Sequence, residues 1–553
     1  MKTKTPGRET GGAPGEALRT DGAGFLGLSR RWLYAGLALT VLLLLPLVYF
    51  QYLPLNDWPN HLASMHLLIE QQAGIGTYIG PNPNLLLPNS SAFWAMRLLG
   101  PRIGVESAGR LMLGLTVVLT IWGMAYFFRS VDKRLAPLGL ALGAALAYNW
   151  FFLMGFLNYA LALPLFLLAG GGWMERREKR MDGKGVMLAL ILSVLASFTH
   201  LVAGLALLAL IGWMRVAELA QEWREKKGPD LASIRARLTH DWPFVLPVLL
   251  MGALAAQPLL SGEGNSGAIE WGSLFGKLLY GVLGTAVPIL AVVFAIVAAC
   301  YLALRLGQLK NGWRPDWMWL GLGLLMLAGA LFLPENTASW QFAAPRLWPF
   351  VYYFMALAIF APLARTQEGS GVVSEMAAAL MLLALLQGAV MAHDWQGLQL
   401  NLAQVAAVGA QLPAQASVLP LGEGFAQAGP EPAVSPYYHA WGYWVMQKDV
   451  YVPYLFAWNY SPIQYNEPDA HGREQIGSWM ERLAAKNFAS PPNSTCQYWG
   501  EYYQQFNWSL VGSEYQYVVL RAGECENGSL VPPPFERIWN EGNLSIFKNR
   551  EKE

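Results

Sequence analysis

The stretch Leu53-Pro-Leu-Asn-Asp-Trp-Pro-Asn-His-Leu-Ala-Ser-Met-His-Leu-Leu-Ile-Glu70 sets four ionisable side chains, Asp57, His61, His66 and Glu70, directly after an apolar run. Asn56 or Asp57 is placed to cap a helix whose first turn accepts Pro59. At about 100° per residue, Asp57 and His61 share one face of that helix, and His66 and Glu70 share another about half a turn away. One metal ion therefore cannot use all four, and a cation site, if there is one, would rest on Asp57. As the cap, Asp57 would contribute about 1 kcal/mol to the helix. If Asn56 caps instead, Asp57 is free to act as a general base or to hold a divalent cation. His61 has the plainer reading of an interfacial histidine, and His66 and Glu70 are expected to face water or headgroups.

The elements that must position these groups follow from composition. The 553 residues are 54% hydrophobic and only 14% charged, where an average soluble protein carries about a quarter charged residues. Runs such as Trp32–Tyr52, Gly185–Ala203 and Trp317–Leu333 are almost free of ionisable groups and match a hydrocarbon core of about 30 Å. A backbone crossing lipid must satisfy its own hydrogen bonds, so these runs should be helices. Hydropathy predicts eleven spans, at about 33–52, 109–128, 135–151, 156–174, 186–199, 201–214, 243–261, 277–304, 316–333, 347–364 and 372–392. Residues 1–32 are expected to form a disordered cytoplasmic tail, and the first span reads as a retained anchor.

Loop charge sets the orientation. Of 38 Lys and Arg, 24 fall in the tail and loops assigned to the cytoplasm, whereas the opposite loops and span ends hold five: Arg97, Arg102, Arg110, Lys277 and Arg346. That bias places the N-terminus inside and the C-terminus outside. The membrane domain then covers 33–392. Its first outside loop, 53–108, carries two surface-lying helices. One, running to about Gln72, has Leu62, Met65, Leu68 and Ile69 on its apolar side; the other, Ser91–Leu99, has Phe93 and Trp94 as anchors. A net charge of +1 gives no reason to expect a nucleic-acid partner. No Walker sequence, dinucleotide-binding glycine loop, CxxC pair or Gly-x-Ser-x-Gly elbow occurs.

Residues 393–553 read as a soluble extracytoplasmic α/β domain. Trp395–Leu412 is expected to be a helix leading off the membrane, Tyr437–Gln447 and Gln475–Lys486 are helical, and Ser417–Leu421, Tyr517–Arg521 and Leu544–Lys548 have strand character. The rings of Tyr437, Tyr438, Trp441, Tyr443, Trp444, Tyr451, Tyr454, Trp458, Tyr460 and Tyr465 fit a small domain's core or a membrane-interface belt better than a sugar-stacking face. Cys496 and Cys525 share this domain, as a disulfide or as two thiols.

The segment Asn56-Asp57-Trp58-Pro59-Asn60-His61-Leu62 resembles the first-loop signature of bacterial polyprenyl-phosphate-dependent glycosyltransferases of the GT-C superfamily. The eleven spans, the outside C-terminal domain and Pro334-Glu335-Asn336…Pro345-Arg346-Leu347 resemble that group as well. Family members often pair two acids in the loop, where this chain offers Asn56-Asp57. The resemblance implies an inner (plasma) membrane protein that moves a sugar from a lipid-linked phosphate to an extracytoplasmic glycan, lipid or protein acceptor. Asp57 would then be the base, and Arg346 would bind phosphate, with interfacial snorkelling as its alternative. His61 and His200 are further substrate-site candidates; His200 has the equal alternative of packing against a neighbouring carbonyl. Asn149 and Asn158 would line the cavity or cap their helices, and Glu335 is a reserve acid.

The competing readings are a transporter or flippase, a surface-polysaccharide polymerase or ligase, and a non-catalytic glycan-binding membrane protein. A transporter usually shows internal repeats and charges within its spans. Here no clear repeat is found and the ionisable groups sit at span ends.

Overall fold

The computed structural model describes residues 25–72, 79–81, 88–177, 181–225, 228, 231–260, 269–282, 287–307, 313–336, 342–422, 434–456, 463–465, 508–521 and 530–552. In chain order the helices are α1 (Arg30–Tyr49), α2 (Trp58–Gln72), α3 (Ser91–Ile103), α4 (Val105–Val131), α5 (Ala136–Ala145), α6 (Trp150–Leu153), α7 (Leu157–Arg176) and α8 (Gly183–Thr199). There follow α9 (Leu201–Arg224), α10 (Leu231–Leu260), α11 (Leu274–Val282), α12 (Pro288–Gly307), α13 (Trp317–Phe332), α14 (Trp348–Ala364), α15 (Gln367–Gln411) and α16 (Gly442–Lys448).

Among the described residues nine helices are long and apolar enough to cross a membrane, and two shorter apolar ones, α8 and α13, stand beside them. Ten of the eleven apolar runs fall on one member of this set each, the stretch Lys133–Leu153 with α5 and α6 counting as one; the run 277–304 does not. Side chains at their ends decide where they start: Asp182 accepts from Gly185 N before α8, Asp316 from Met318 N before α13 and Thr366 from Gly369 N before α15. Packing inside the bundle relies on small residues. A Cβ on Gly139 or Gly143 of α5 would meet the Met124 or Thr120 carbonyl of α4 at 2.6 and 2.7 Å, so only bare backbone fits there. No residue of α12 is buried, and Ile289, Val293, Ile296 and Val297 are all exposed. Such a face is stable against lipid and costly against water.

Two boundaries differ from the hydropathy reading. The run 277–304 is two helices, α11 and α12, and Lys277 belongs to the short first one, where its Nζ donates to the Leu331 and Leu333 carbonyls at the end of α13. The segment after residue 392 starts no new helix. α15 runs unbroken for 45 residues, because His393 and Asp394 change the side-chain polarity and leave the backbone ladder intact.

The tail packs a four-stranded sheet in the order β2-β4-β6-β5, built from β2 (Val418–Gly422), β4 (Tyr517–Arg521), β5 (Phe535–Glu541) and β6 (Leu544–Asn549). β2 and β4 run parallel, and β4–β6 and β5–β6 are antiparallel. Separately, β1 (Ile79–Pro81) pairs antiparallel with β3 (Ile463–Tyr465), Gly80 opposite Gln464. The first loop and the tail are thus joined by main-chain bonds. Trp441 and Trp444 are fully buried and Tyr443 and Tyr451 nearly so, which makes most of the described tail rings core, as expected. Trp444 Nε1 donates to the Val405 carbonyl at 2.6 Å and ties α16 to α15. The helical pattern at Gln475–Lys486, and Cys496 and Cys525, lie outside the described residues.

Candidate active site

α2 does not lie on a membrane surface with one face in water. Trp58, Leu62 and Met65 on one side and Asn60 and Ser64 on the other are all buried, because α16 and the tail close over it. Neither Asn56 nor Asp57 caps the helix with its side chain. Asn56 Nδ2 donates to Asp57 Oδ1 at 2.8 Å, and its Oδ1 accepts from Ser435 N at 3.3 Å. Asp57 reaches its place through main chain: Asn56 N and Asp57 N donate to the Leu153 and Met154 carbonyls at 3.1 and 3.0 Å. The turn that receives them needs Gly155. Its φ is +76°, and a Cβ there would sit 3.0 Å from both Asp57 N and Trp58 N.

The Asp57 carboxylate is buried, and desolvation raises its pKa to about 7, against which the Asn56 hydrogen bond pulls weakly downward. A carboxyl poised near neutrality is suited to accept a proton. His61 follows one turn on, between the rings of Phe93 and Phe456 at 5.1 and 5.3 Å, with the Gly155 main chain as hydrogen-bond partner. Burial lowers its pKa to about 4, so at neutral pH it is an uncharged ring and offers no cation to a phosphate. His66 was expected in water or headgroups; it pairs instead with Asp449 of the tail at 2.8 Å.

A second histidine, His439 of the tail, stands over Asp57 with Nε2 3.5 Å from Oδ1. Its Nδ1 lies 3.2 Å from Asn60 Nδ2. Sequence reasoning missed this residue, reading the surrounding Tyr-Tyr-His-Ala-Trp run for its rings alone. The donor set here does not fit a divalent cation. Oδ1 of the single carboxylate accepts from the Asn56 amide and faces the His439 ring, and among the described residues no group of three His, Cys, Asp or Glu is placed to hold a metal.

Arg346 sits at the start of the helical stretch leading into α14. Its guanidinium carbon lies 5.5 Å over the Phe156 ring and 5.6 Å over the Tyr159 ring, and the Tyr159 hydroxyl donates to its main-chain carbonyl. Among the described residues no carboxylate is within ion-pair reach of it, and its Nε is buried without a hydrogen-bond partner. The other expected outer cations differ. Arg110 is tied to Glu106 and to the Leu47 and Phe50 carbonyls, and Lys277 to carbonyls alone. His200 packs on Tyr159 at 5.1 Å and accepts from Val202 N through Nδ1, so its own ring caps α9.

The segment Leu153–Tyr159 is therefore common ground. Asp57 and His61 bond to its first turn, Arg346 rests on two of its rings, and His200 touches the second of these. Asn149 caps α6 by accepting from Phe152 N and lines a void of about 10 Å³ with Tyr280, Trp348 and Tyr353. Asn158 accepts from Ala92 N at 2.8 Å and donates to the Asn89 carbonyl at 2.8 Å, which fastens α3 to α7. Glu335 is buried and accepts from the Tyr280 hydroxyl at 2.9 Å. A larger cavity of about 990 Å³ lies at the opposite end of the bundle, where α7, α9 and α10 carry Arg177, Arg215, Glu218 and His240, and is remote from Asp57.

No family model and no curated protein matches the chain. Among solved structures, ArnT from Cupriavidus metallidurans bound to undecaprenyl phosphate is similar over 95% of this chain and 99% of its own, with 12% identity and a TM-score of 0.48. The same protein in the apo state gives 11% identity and 0.48 over 94% of this chain and 98% of its own. The arabinofuranosyltransferase AftD from Mycobacteria gives 16% identity and 0.48 over 94% of this chain and 40% of its own. At this level of likeness, function has to be read from the chain's own side chains.

Proposed function

We propose that the chain is a membrane glycosyltransferase that moves a sugar from a polyprenyl-phosphate donor to an extracytoplasmic hydroxyl acceptor. The observation that carries the reading is Asp57: a buried carboxyl near neutral pKa that caps no helix and pairs with no cation among the described residues. Its ionised form costs the fold stability, and proton abstraction uses it. The first-loop resemblance supplies the reaction class.

In the reaction, an acceptor hydroxyl oxygen bonds to the anomeric carbon as the bond from that carbon to the donor phosphate breaks. The hydroxyl proton passes to Asp57, and the polyprenyl phosphate departs with its negative charge. Arg346 meets that charge. Held on two aromatic rings and, among the described residues, with no carboxylate to satisfy it, its guanidinium keeps donors for phosphate oxygens.

Membranes carrying the full chain, supplied with radiolabelled polyprenyl-phosphate sugars, test the proposal. Loss of transfer by about 10²- to 10⁴-fold in Asp57→Asn is expected for removal of a general base. Full transfer by that variant would sink the assignment, and substrate flux into proteoliposomes without sugar transfer would move the chain to the transporter class.

A further inference from the structure

We propose that His439, brought by the tail domain, is the positioning residue of Asp57: its Nε2–H, fixed as the donor by Asn60, anchors Oδ1 and leaves Oδ2 to take the acceptor's proton. The inference rests on the reading of Asp57 as the base.

The tautomer follows from the bonds of one buried amide. Phe456 N donates to Asn60 Oδ1 at 3.0 Å, which fixes which end of the Asn60 side chain is oxygen. The other end, Nδ2, donates to the Tyr454 carbonyl at 2.9 Å and has its second hydrogen for His439 Nδ1 at 3.2 Å. An amide nitrogen only donates, so His439 Nδ1 must be the lone-pair nitrogen and the neutral ring carries its proton on Nε2. Burial, with His61 adding to it, holds the His439 pKa well below the usual histidine range, so the ring is a neutral donor. Among the described residues its Nε2 has no hydrogen-bond partner, and it lies 3.5 Å from Asp57 Oδ1. A buried N–H left this close to a carboxyl is satisfied by a small approach, which the ionised carboxylate draws.

Asn56 already donates to the same Oδ1. Both donors therefore address one oxygen, and among the described residues nothing bonds to Oδ2. The other titratable side chains near the pair are His61 from α2 and Tyr438 and Tyr454 from the tail; Leu153–Phe156 carries none. The seating of the tail is itself tight. A Cβ on Gly442, three residues after His439, would meet the Pro59 carbonyl at 2.3 Å, so α16 can rest on α2 only at a glycine.

Two measurements on the detergent-solubilised full chain test this without relying on transfer. In an infrared pH titration, the protonated-carboxyl band that disappears in Asp57→Asn reports Asp57. A hydrogen bond to a charged group is lost in His439→Phe, so the titration midpoint should rise by about one pH unit, and His439→Gln, which keeps an N–H donor, should bring it back. In ¹⁵N spectra of histidine-labelled protein, the signal missing from His439→Gln should show the Nε2–H tautomer. A folded His439→Phe protein with an unmoved Asp57 midpoint, or a His439 protonated on Nδ1, overturns the proposal. Full sugar transfer by Asp57→Asn would overturn the reading of Asp57 as the base, and with it the role given to Oδ2, whatever the titration shows.

Discussion

Tyr159 holds Arg346 in two ways, its hydroxyl donating to the Arg346 carbonyl and its ring lying 5.6 Å beneath the guanidinium carbon. Tyr159→Phe keeps the ring and loses the bond. A typical net hydrogen bond is worth about 1 kcal/mol, so donor KM should rise by about fivefold with kcat little changed. Arg346→Ala should cost about 10²-fold or more in kcat/KM, and Arg346→Lys should recover only part, since an ammonium neither stacks nor forks. Steady-state kinetics with varied donor separate the three.

Asp57→Asn should move stability and activity in opposite directions. The carboxyl has a pKa of about 7 in the folded protein against an ordinary 3.8, so folding favours its protonated form. The stability it lends is fully present below pH 3.8 and is lost as pH rises through 7. By pH 8 ionisation costs roughly 4 kcal/mol. Thermal unfolding in detergent should find Asp57→Asn more stable than wild type at pH 8, with the gap closing near pH 4. Wild-type transfer should fall on the acid side with a midpoint near pH 7, where Asp57 takes up its proton.

Gly155→Ala should harm catalysis more than folding. The new methyl would press on Asp57 N and Trp58 N at 3.0 Å in a backbone conformation that L residues rarely adopt. Strain of this kind costs about 1–3 kcal/mol, and it falls on the turn that fixes Asp57. Transfer should drop by more than tenfold while the protein still purifies as a folded chain. Normal kcat would show that the turn's position is immaterial to the base.

Asp241→Ala should do the reverse. Arg215 Nε and Nη2 grip the Asp241 carboxylate at 2.8 and 2.9 Å, and Trp173 Nε1 donates to it at 2.9 Å, at the end of the bundle away from Asp57. Removing the acid leaves Arg215, among the described residues, paired with Glu218 alone, at 2.7 Å, and takes the acceptor from the buried Trp173 Nε1, a loss that costs about 1–3 kcal/mol. Yield and melting temperature should fall, and the activity per folded molecule should not.

What could be read from the sequence tracks what is local. Long apolar runs marked the helices, and Asp57 stood out as the single acid at the mouth of the first span. Hydropathy averages over a window, so it could not see the division between α11 and α12, though Pro288 opens the second. Nor could it tell that α2 would be covered, because Asn60 and Ser64 look like a solvent face until their partners are known. His439 bonds to a residue 379 positions earlier, and no local period joins the two. The one available signal was a lone imidazole inside a run of phenols and indoles. Arg346 was found by the scarcity of cations around it, while the rings beneath it come from a different helix.

The unbroken 45 residues of α15 have a mechanical consequence. At 1.5 Å per residue such a rod is about 68 Å long, more than twice the thickness of the hydrocarbon core. Its far end carries Val405, the carbonyl on which Trp444 is moored, five residues from His439. The tail therefore stands on a stiff mast stepped in the membrane, braced at the other side by α2. His439 is thus tied to α15 through Trp444 and to α2 through Asn60, so the helix that crosses the membrane and the helix that carries the acid hold the histidine from two sides.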